Sequence, residues 1–173
     1  MVHSQAGQFG WTLGDANPSK VKGIIALEPT GPPFLDTVFT ASNPVNRGKR
    51  PYGITVPPVS YDPPLTSPSD LKPVIVSSDP SGNYTCYKQA DPPRKLANLS
   101  KIPILIVTSE SSFHAVYDSC TTDYLAQAGV AVEHVRLENV GIHGNGHMMF
   151  MEKNNLQIAK DVVEKWINKK FVK

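Results

Sequence analysis

Thirteen of the chain's sixteen prolines fall between residues 31 and 98, in runs such as "TGPPF", "TVPPVSYDPPL", "SPSD", "SDPSG" and "DPPRK". Proline fixes φ and removes a backbone donor, so no helix and no central sheet strand survives that density. Regular structure is therefore expected on either side of the segment. A long stretch of this kind is usually a lid, a binding loop or disorder. Tyr52, Tyr61, Tyr84 and Tyr87 lie within it, and they favour a cap over a pocket rather than a solvated insertion.

Around the segment the pattern alternates between α and β. A helix is expected from about Gln5 to Ala16, followed by "VKGIIALEP", whose β-branched run from Val21 to Leu27 reads as a buried strand. A second strand, "IPILIVTSE", begins at Ile102; helical material crosses "YDSCTTDYLAQAG" and stops at Gly129; "VAVEHVRLENV" supplies a third strand. Strand, helix, strand implies parallel pairing. The chain closes on a helix in which Leu156, Ala159, Val163 and Trp166 step by three and four, with Val162 and Ile167 widening the stripe. Asn154 or Asn155 can cap it, and Lys165, Lys169, Lys170 and Lys173 suit its C-terminal dipole.

Charge and composition narrow the partners. Seventeen basic residues against fifteen acidic leave a formal charge of +2, which points neither to nucleic acid nor to an anionic membrane. A small neutral substrate is compatible with that balance. No run of about 18 apolar residues could span a bilayer, and no charged start with a long apolar run marks a signal peptide. Cys86 and Cys120 fit either one disulfide or two buried thiols. Asn83-Tyr84-Thr85 and Asn98-Leu99-Ser100 match the glycosylation pattern, which matters only in a secreted protein; otherwise they are ordinary loop asparagines.

A serine hydroxyl is a poor nucleophile until a base within hydrogen-bond reach takes its proton and a third group orients that base. Ser4 sits where a strand turns sharply into a helix, with Ala6 and Gly7 small enough for a tight backbone. Its motif is imperfect, since Val2 and Ala6 stand where G-x-S-x-G has glycines. Glu28 ends the apolar run "GIIALE" before Pro29, which places its carboxylate at a strand's C-terminal edge, where open α/β sheets hold ligands. The glycine-rich "VGIHGNGHMMFMEKNN" carries His143 and His147, either of which can shuttle a proton near neutrality. Their spacing of four would suit a metal on a helix, but Gly144 and Gly146 argue against a helix and no H-E-x-x-H is present. Neither a metal nor a cofactor is expected.

Taken together, "HSQAGQFGW", "ALEPTGPP", "PYGIT", "YDPP" and "HGNGHMMFMEKNN" resemble an α/β-hydrolase, and more narrowly a fungal and bacterial subgroup of serine-esterase-like hydrolases. The likeness runs over essentially the whole chain and is least diagnostic in the proline-rich middle. It implies an α/β fold of parallel strands with flanking helices, with residues 31–98 as a cap insertion. It also implies an ester substrate, Ser4 as nucleophile, Glu28 as acid and His147 as base. His147 is preferred over His143 because Gly146-His147 with Glu152 five residues on matches a recurrent pattern of such hydrolases. Glu110 and Asp118 are the fallback acids. The resemblance further implies that the backbone N–H of Gln5 meets the oxyanion, together with a donor from an upstream loop.

Such a sheet has strands before the elbow, and only Met1, Val2 and His3 precede Ser4. The expectation is a truncated form, lacking the N-terminal strands and that oxyanion loop, with Val21–Leu27 left as an exposed sheet edge. The sequons and the two cysteines point to secretion of a full-length relative. The alternative is a catalytically inactive fragment that at most binds ligands or partners.

Overall fold

The computed structural model describes residues 1–38 and 47–172; Lys173 and the 39–46 part of the expected cap lie outside the described residues. In chain order the strands are β1 (Val2–Ser4), β2 (Ile24–Pro29), β3 (Tyr61–Asp62), β4 (Pro73–Ser78), β5 (Thr85–Gln89), β6 (Lys95–Leu96), β7 (Ile104–Thr108) and β8 (Val132–Arg136). The helices are α1 (Gly7–Ala16), α2 (Asp118–Gln127), α3 (Asn155–Ile158) and α4 (Lys165–Phe171).

β1, β2, β7 and β8 form one parallel sheet in the order β1-β2-β7-β8. β2 and β7 are buried along their whole length, which is why both read as apolar runs rather than alternating ones until Glu28 and Thr108 near their C-terminal ends. The pleat divides their side chains. Ile24, Ala26, Ile104 and Ile106 meet Trp11 of α1 and Leu125 of α2 on one face. Ile25, Leu27, Leu105 and Val107 meet Ile158, Val162 and Trp166 of the final helix on the other. Each such fully buried side chain contributes about 1.5–3 kcal/mol.

The expectation that β2 would be an exposed edge is corrected. β1 pairs with it through Val2 with Ala26, His3 with Leu27 and Ser4 with Pro29, so β2 is interior and the three-residue β1 is outermost. The expected apolar stripe of the last helix also shifts. Between α3 and α4 the chain makes a π-helical turn over Ala159–Glu164, whose i→i+5 bonding widens the turn. Residues four apart then stack, so Ile158, Val162 and Trp166 are buried while Leu156 is 70% exposed. Neither asparagine caps the helix by side chain: Asn154 bonds Asn145 instead, and Asn155 donates to the Phe150 carbonyl. Lys169 and Lys170 pair with Glu133 of β8 rather than only facing solvent.

The described residues of the proline-rich segment include strands, but none of these enters the central sheet. β3 pairs with β6 and β4 with β5, each as a two-stranded antiparallel ribbon. Ile54, Val59, Tyr61, Leu71 and Leu96 pack into the same core as Trp11, and the Tyr61 hydroxyl meets that of Tyr124 at 2.8 Å. The amide nitrogens of Asn83 and Asn98 donate to Asp79 and to the Asp15 carbonyl. Cys86 and Cys120 are disulfide-bonded, joining β5 to α2 across 34 residues of sequence. Closing a loop of that size removes unfolded-chain entropy, so replacing both cysteines by serine should lower unfolding free energy by about 3–4 kcal/mol in urea titration.

Candidate active site

Ser4 ends β1 with φ of 53°, a left-handed backbone that a side-chain-bearing residue rarely adopts. Three contacts hold it there. The Ala6 N–H donates to the His3 carbonyl at 3.0 Å, and the Thr30 N–H and hydroxyl both donate to the Ser4 carbonyl, at 2.9 and 3.0 Å. α1 follows at once and lies so close to the end of β2 that a Cβ on Gly7 would come within 2.6 Å of the Pro29 Cβ. Glycine is required there. Glu28 also has positive φ, 45°, and the β1–β2 register slips between His3 and Ser4. Two such residues cost on the order of 1–3 kcal/mol each, which the surrounding hydrogen bonds and packing offset.

The Glu28 side chain is fully buried, and a buried carboxylate needs fixed donors. It has three: the Ser109 N–H at 2.8 Å, the Ser112 hydroxyl at 2.7 Å and His147 Nδ1 at 2.6 Å. The other nitrogen of that ring, Nε2, lies 3.0 Å from Ser4 Oγ. Ser4, Glu28 and His147 are thus in one hydrogen-bonded line. The loop bearing His147 is itself tied down, because Glu152 accepts from the Gly146 N–H and the Asn145 amide, both at 2.7 Å, and Asn145 exchanges hydrogen bonds with Asn154. Glu152 therefore secures the loop rather than touching the histidine. His3 Nε2 meets the His147 carbonyl at 2.8 Å.

The remaining candidates lie elsewhere. His143 Nδ1 meets Glu110 at 3.1 Å, and both are exposed. Glu110 also accepts from the Gly144 N–H, which is the main reason its carboxyl stays below the usual range. Neither reaches Ser4. Asp118 is buried and bonds His114 Nδ1 at 2.8 Å and the Thr108 hydroxyl at 2.7 Å, not His147. Gln5 lines the cavity beside Ser4.

The sequence reading missed His114. Its ring lies flat against that of His147, with centroids 4.7 Å apart and planes 2° from parallel, while Phe113 and His3 contact the same ring. Its one sequence signal is the i, i+4 spacing of His114 and Asp118 just beyond a strand end. Burial pushes His114 down to about 4 and Asp118 up to about 8. Both shifts favour an uncharged pair.

A cavity of about 420 Å³ beside Ser4 is lined by Gln5, Gln8, Phe9 and Thr12 together with Thr30, Val56, Pro57, His114 and Tyr117. Donor atoms of Glu28, His114 and His147 lie within 4.8 Å of one another. Both His147 nitrogens already have hydrogen-bond partners, so a metal held there would take that ring from either Glu28 or Ser4.

No family model matches the chain. The chain is similar to "Probable secreted lipase phiG" from a fungal species (strain ATCC 74256), at 51% identity over 170 residues, covering 98% of this chain and 45% of that protein. Among solved structures it resembles a novel bacterial esterase determined at atomic resolution, with TM-score 0.54, 22% identity, and coverage of 98% of this chain and 38% of that one. The chain thus spans less than half the length of either. The parallel sheet with helices on both faces is an α/β-hydrolase-like fold.

The His114–Asp118 pair sets a pH dependence of stability. Asp118 rises from 3.8 to about 8 on folding, so it stabilises the fold below pH 4 and that contribution fades as pH climbs to 8. His114 falls from 6.5 to about 4, which adds stability as pH rises between those values. The two oppose between pH 4 and 6.5, leaving a net loss from about 6.5 to 8. Urea titrations at pH 5, 6.5 and 8 should show that loss, and Asp118→Asn should flatten it.

Proposed function

We propose that this chain carries the nucleophile, base and acid of a serine hydrolase acting on carboxylic esters, with Ser4, His147 and Glu28 in those roles. The observation that carries the reading is the position of the His147 ring, which spans from Ser4 Oγ at 3.0 Å to the Glu28 carboxylate at 2.6 Å. With Nδ1–H held by Glu28, the ring presents Nε2 as a proton acceptor toward the serine. Attack of Oγ on the ester carbonyl carbon passes the hydroxyl proton to Nε2 and forms a tetrahedral oxyanion. Its collapse expels the alcohol, which takes that proton, and leaves an acyl-serine. Water, deprotonated by His147, then attacks the acyl carbon and releases the acid. Buried Glu28 stabilises the imidazolium formed in each half.

The backbone N–H of Gln5 is the proposed oxyanion donor, as the residue following the nucleophile. The proposed substrate class is supported by the similarity to a lipase and an esterase and by the cavity lining, where Phe9, Val56 and Pro57 offer apolar contact beside the polar Gln8 and Thr12. A modest apolar acyl or alkyl group fits such a lining. Residues 31–98 form the proposed cap, since Gly31, Asp36, Val56 and Pro57 supply part of that wall.

A fluorophosphonate probe should label the chain at Ser4 and leave Ser4→Ala unlabelled; equal labelling of the two would sink the assignment. Glu28→Gln and His147→Gln should each lower turnover of a p-nitrophenyl ester by about 10⁴-fold, while the pair together falls little further because the groups act as a unit.

A further inference from the structure

The buried polar chain behind His147 has an order of its own. His134 Nε2 lies 2.9 Å from the Thr108 hydroxyl, that hydroxyl donates to Asp118 Oδ2 at 2.7 Å, and Asp118 Oδ1 lies 2.8 Å from His114 Nδ1. Thr108, Asp118 and His114 are all at least 98% buried. Among the described residues no lysine or arginine pairs with the Asp118 carboxyl: the nearby Arg136 is bonded to Glu138 and to the Ala115 carbonyl. Glu28 has a backbone N–H and a hydroxyl beside its histidine, whereas Asp118 has one hydroxyl and no cation, and burial with so few donors favours the neutral acid. Thr108 already donates to one oxygen, so the acid proton lies on the other, with His114 Nδ1 as its acceptor. Donors and acceptors then alternate along the whole chain, and the last donor is His114 Nε2–H. That nitrogen makes no hydrogen bond among the described residues, and His114 lines the Ser4 cavity.

We propose that His114 is a substrate-contacting residue, held by Asp118 in its Nε2–H tautomer so that it presents one N–H donor to an oxygen of the ester bound against Ser4. The role rests on the Ser4 hydrolase reading for its substrate. The parallel stacking on His147 places the two rings in complementary roles, one taking a proton from the serine and the other offering a hydrogen to the substrate. A neutral His114 does not compete with His147 for the transferred proton, and it carries no charge to repel the imidazolium.

The test separates ring, donor and tautomer. His114→Phe keeps a stacking ring without the donor, and His114→Gln keeps an N–H at a similar reach without the ring. His114→Phe should lower kcat/KM on a p-nitrophenyl ester by about 10- to 100-fold, with His114→Gln recovering most of that loss. Equal losses, or a greater loss for glutamine, would overturn the donor role. Asp118→Asn reproduces the pattern of the protonated acid, its NH₂ donating to Nδ1 and its oxygen accepting from Thr108. It should exceed Asp118→Leu in kcat/KM by about tenfold, whereas an ionised Asp118 accepting from Nδ1–H would make the two fall together. Nitrogen-15 NMR of the wild-type chain at pH 7, with His114 assigned by its loss in His114→Gln, should show a protonated Nε2 and a bare Nδ1. The opposite tautomer or a doubly protonated ring would refute the proposal even in a chain that folds well. Absent fluorophosphonate labelling of the wild type would instead count against the Ser4 reading, leaving the NMR result to decide the tautomer.

Discussion

A carboxylate sealed from water is tolerable only where fixed donors replace its hydration, and Glu28 imposes that condition on everything around it. Its donors come from two different regions: the turn after β7 gives the Ser109 N–H and the Ser112 hydroxyl, and the loop before the final helix gives His147. Those segments are far apart in sequence and converge because one buried charge needs both. The second clamp, Glu152 on the Gly146 N–H and Asn145, keeps the histidine loop in reach. Removing either anchor would leave an unpaired buried group rather than a looser version of the same site.

Two histidines in contact would ordinarily be a liability, since protonating one raises the cost of protonating the other. The fold keeps them different. His147 is partly exposed and faces a carboxylate and a hydroxyl, whereas His114 is buried against Asp118, whose carboxyl pKa burial pushes up. Environment assigns the roles, as it does wherever like side chains sit side by side in a site.

Much of this arrangement was legible in the residues. Strand β7 was readable from "ILIVT" because a strand buried on both faces has no alternative to an apolar run; Ser4 and Glu28 stood out at strand ends, while the glycine-rich loop offered both His143 and His147 and only the resemblance to a hydrolase pattern chose between them. The disulfide could not be read, because two cysteines specify no distance between them. The final helix was misread by a few residues, since a π-helical turn shifts the buried face without any composition that marks it. The asparagines before it looked like caps, yet their amides are drawn into the loop network, where a tertiary partner outcompetes a local one. His114 escaped notice for a related reason: its meaning depends on a ring 33 residues away in sequence that only the folded chain stacks against it. The proline count correctly excludes the segment from the central sheet, but says nothing of the aliphatic and tyrosine side chains that bind it to the core.

The backbone at Ser4 has one more implication. A residue held at φ of 53° is in a conformation that glycine adopts freely and serine does not. Ser4→Gly would therefore relieve the backbone while deleting the hydroxyl that faces His147. On the hydrolase reading proposed above, the strain at Ser4 is what holding its hydroxyl beside His147 costs, so the same φ that weakens the chain aims the side chain.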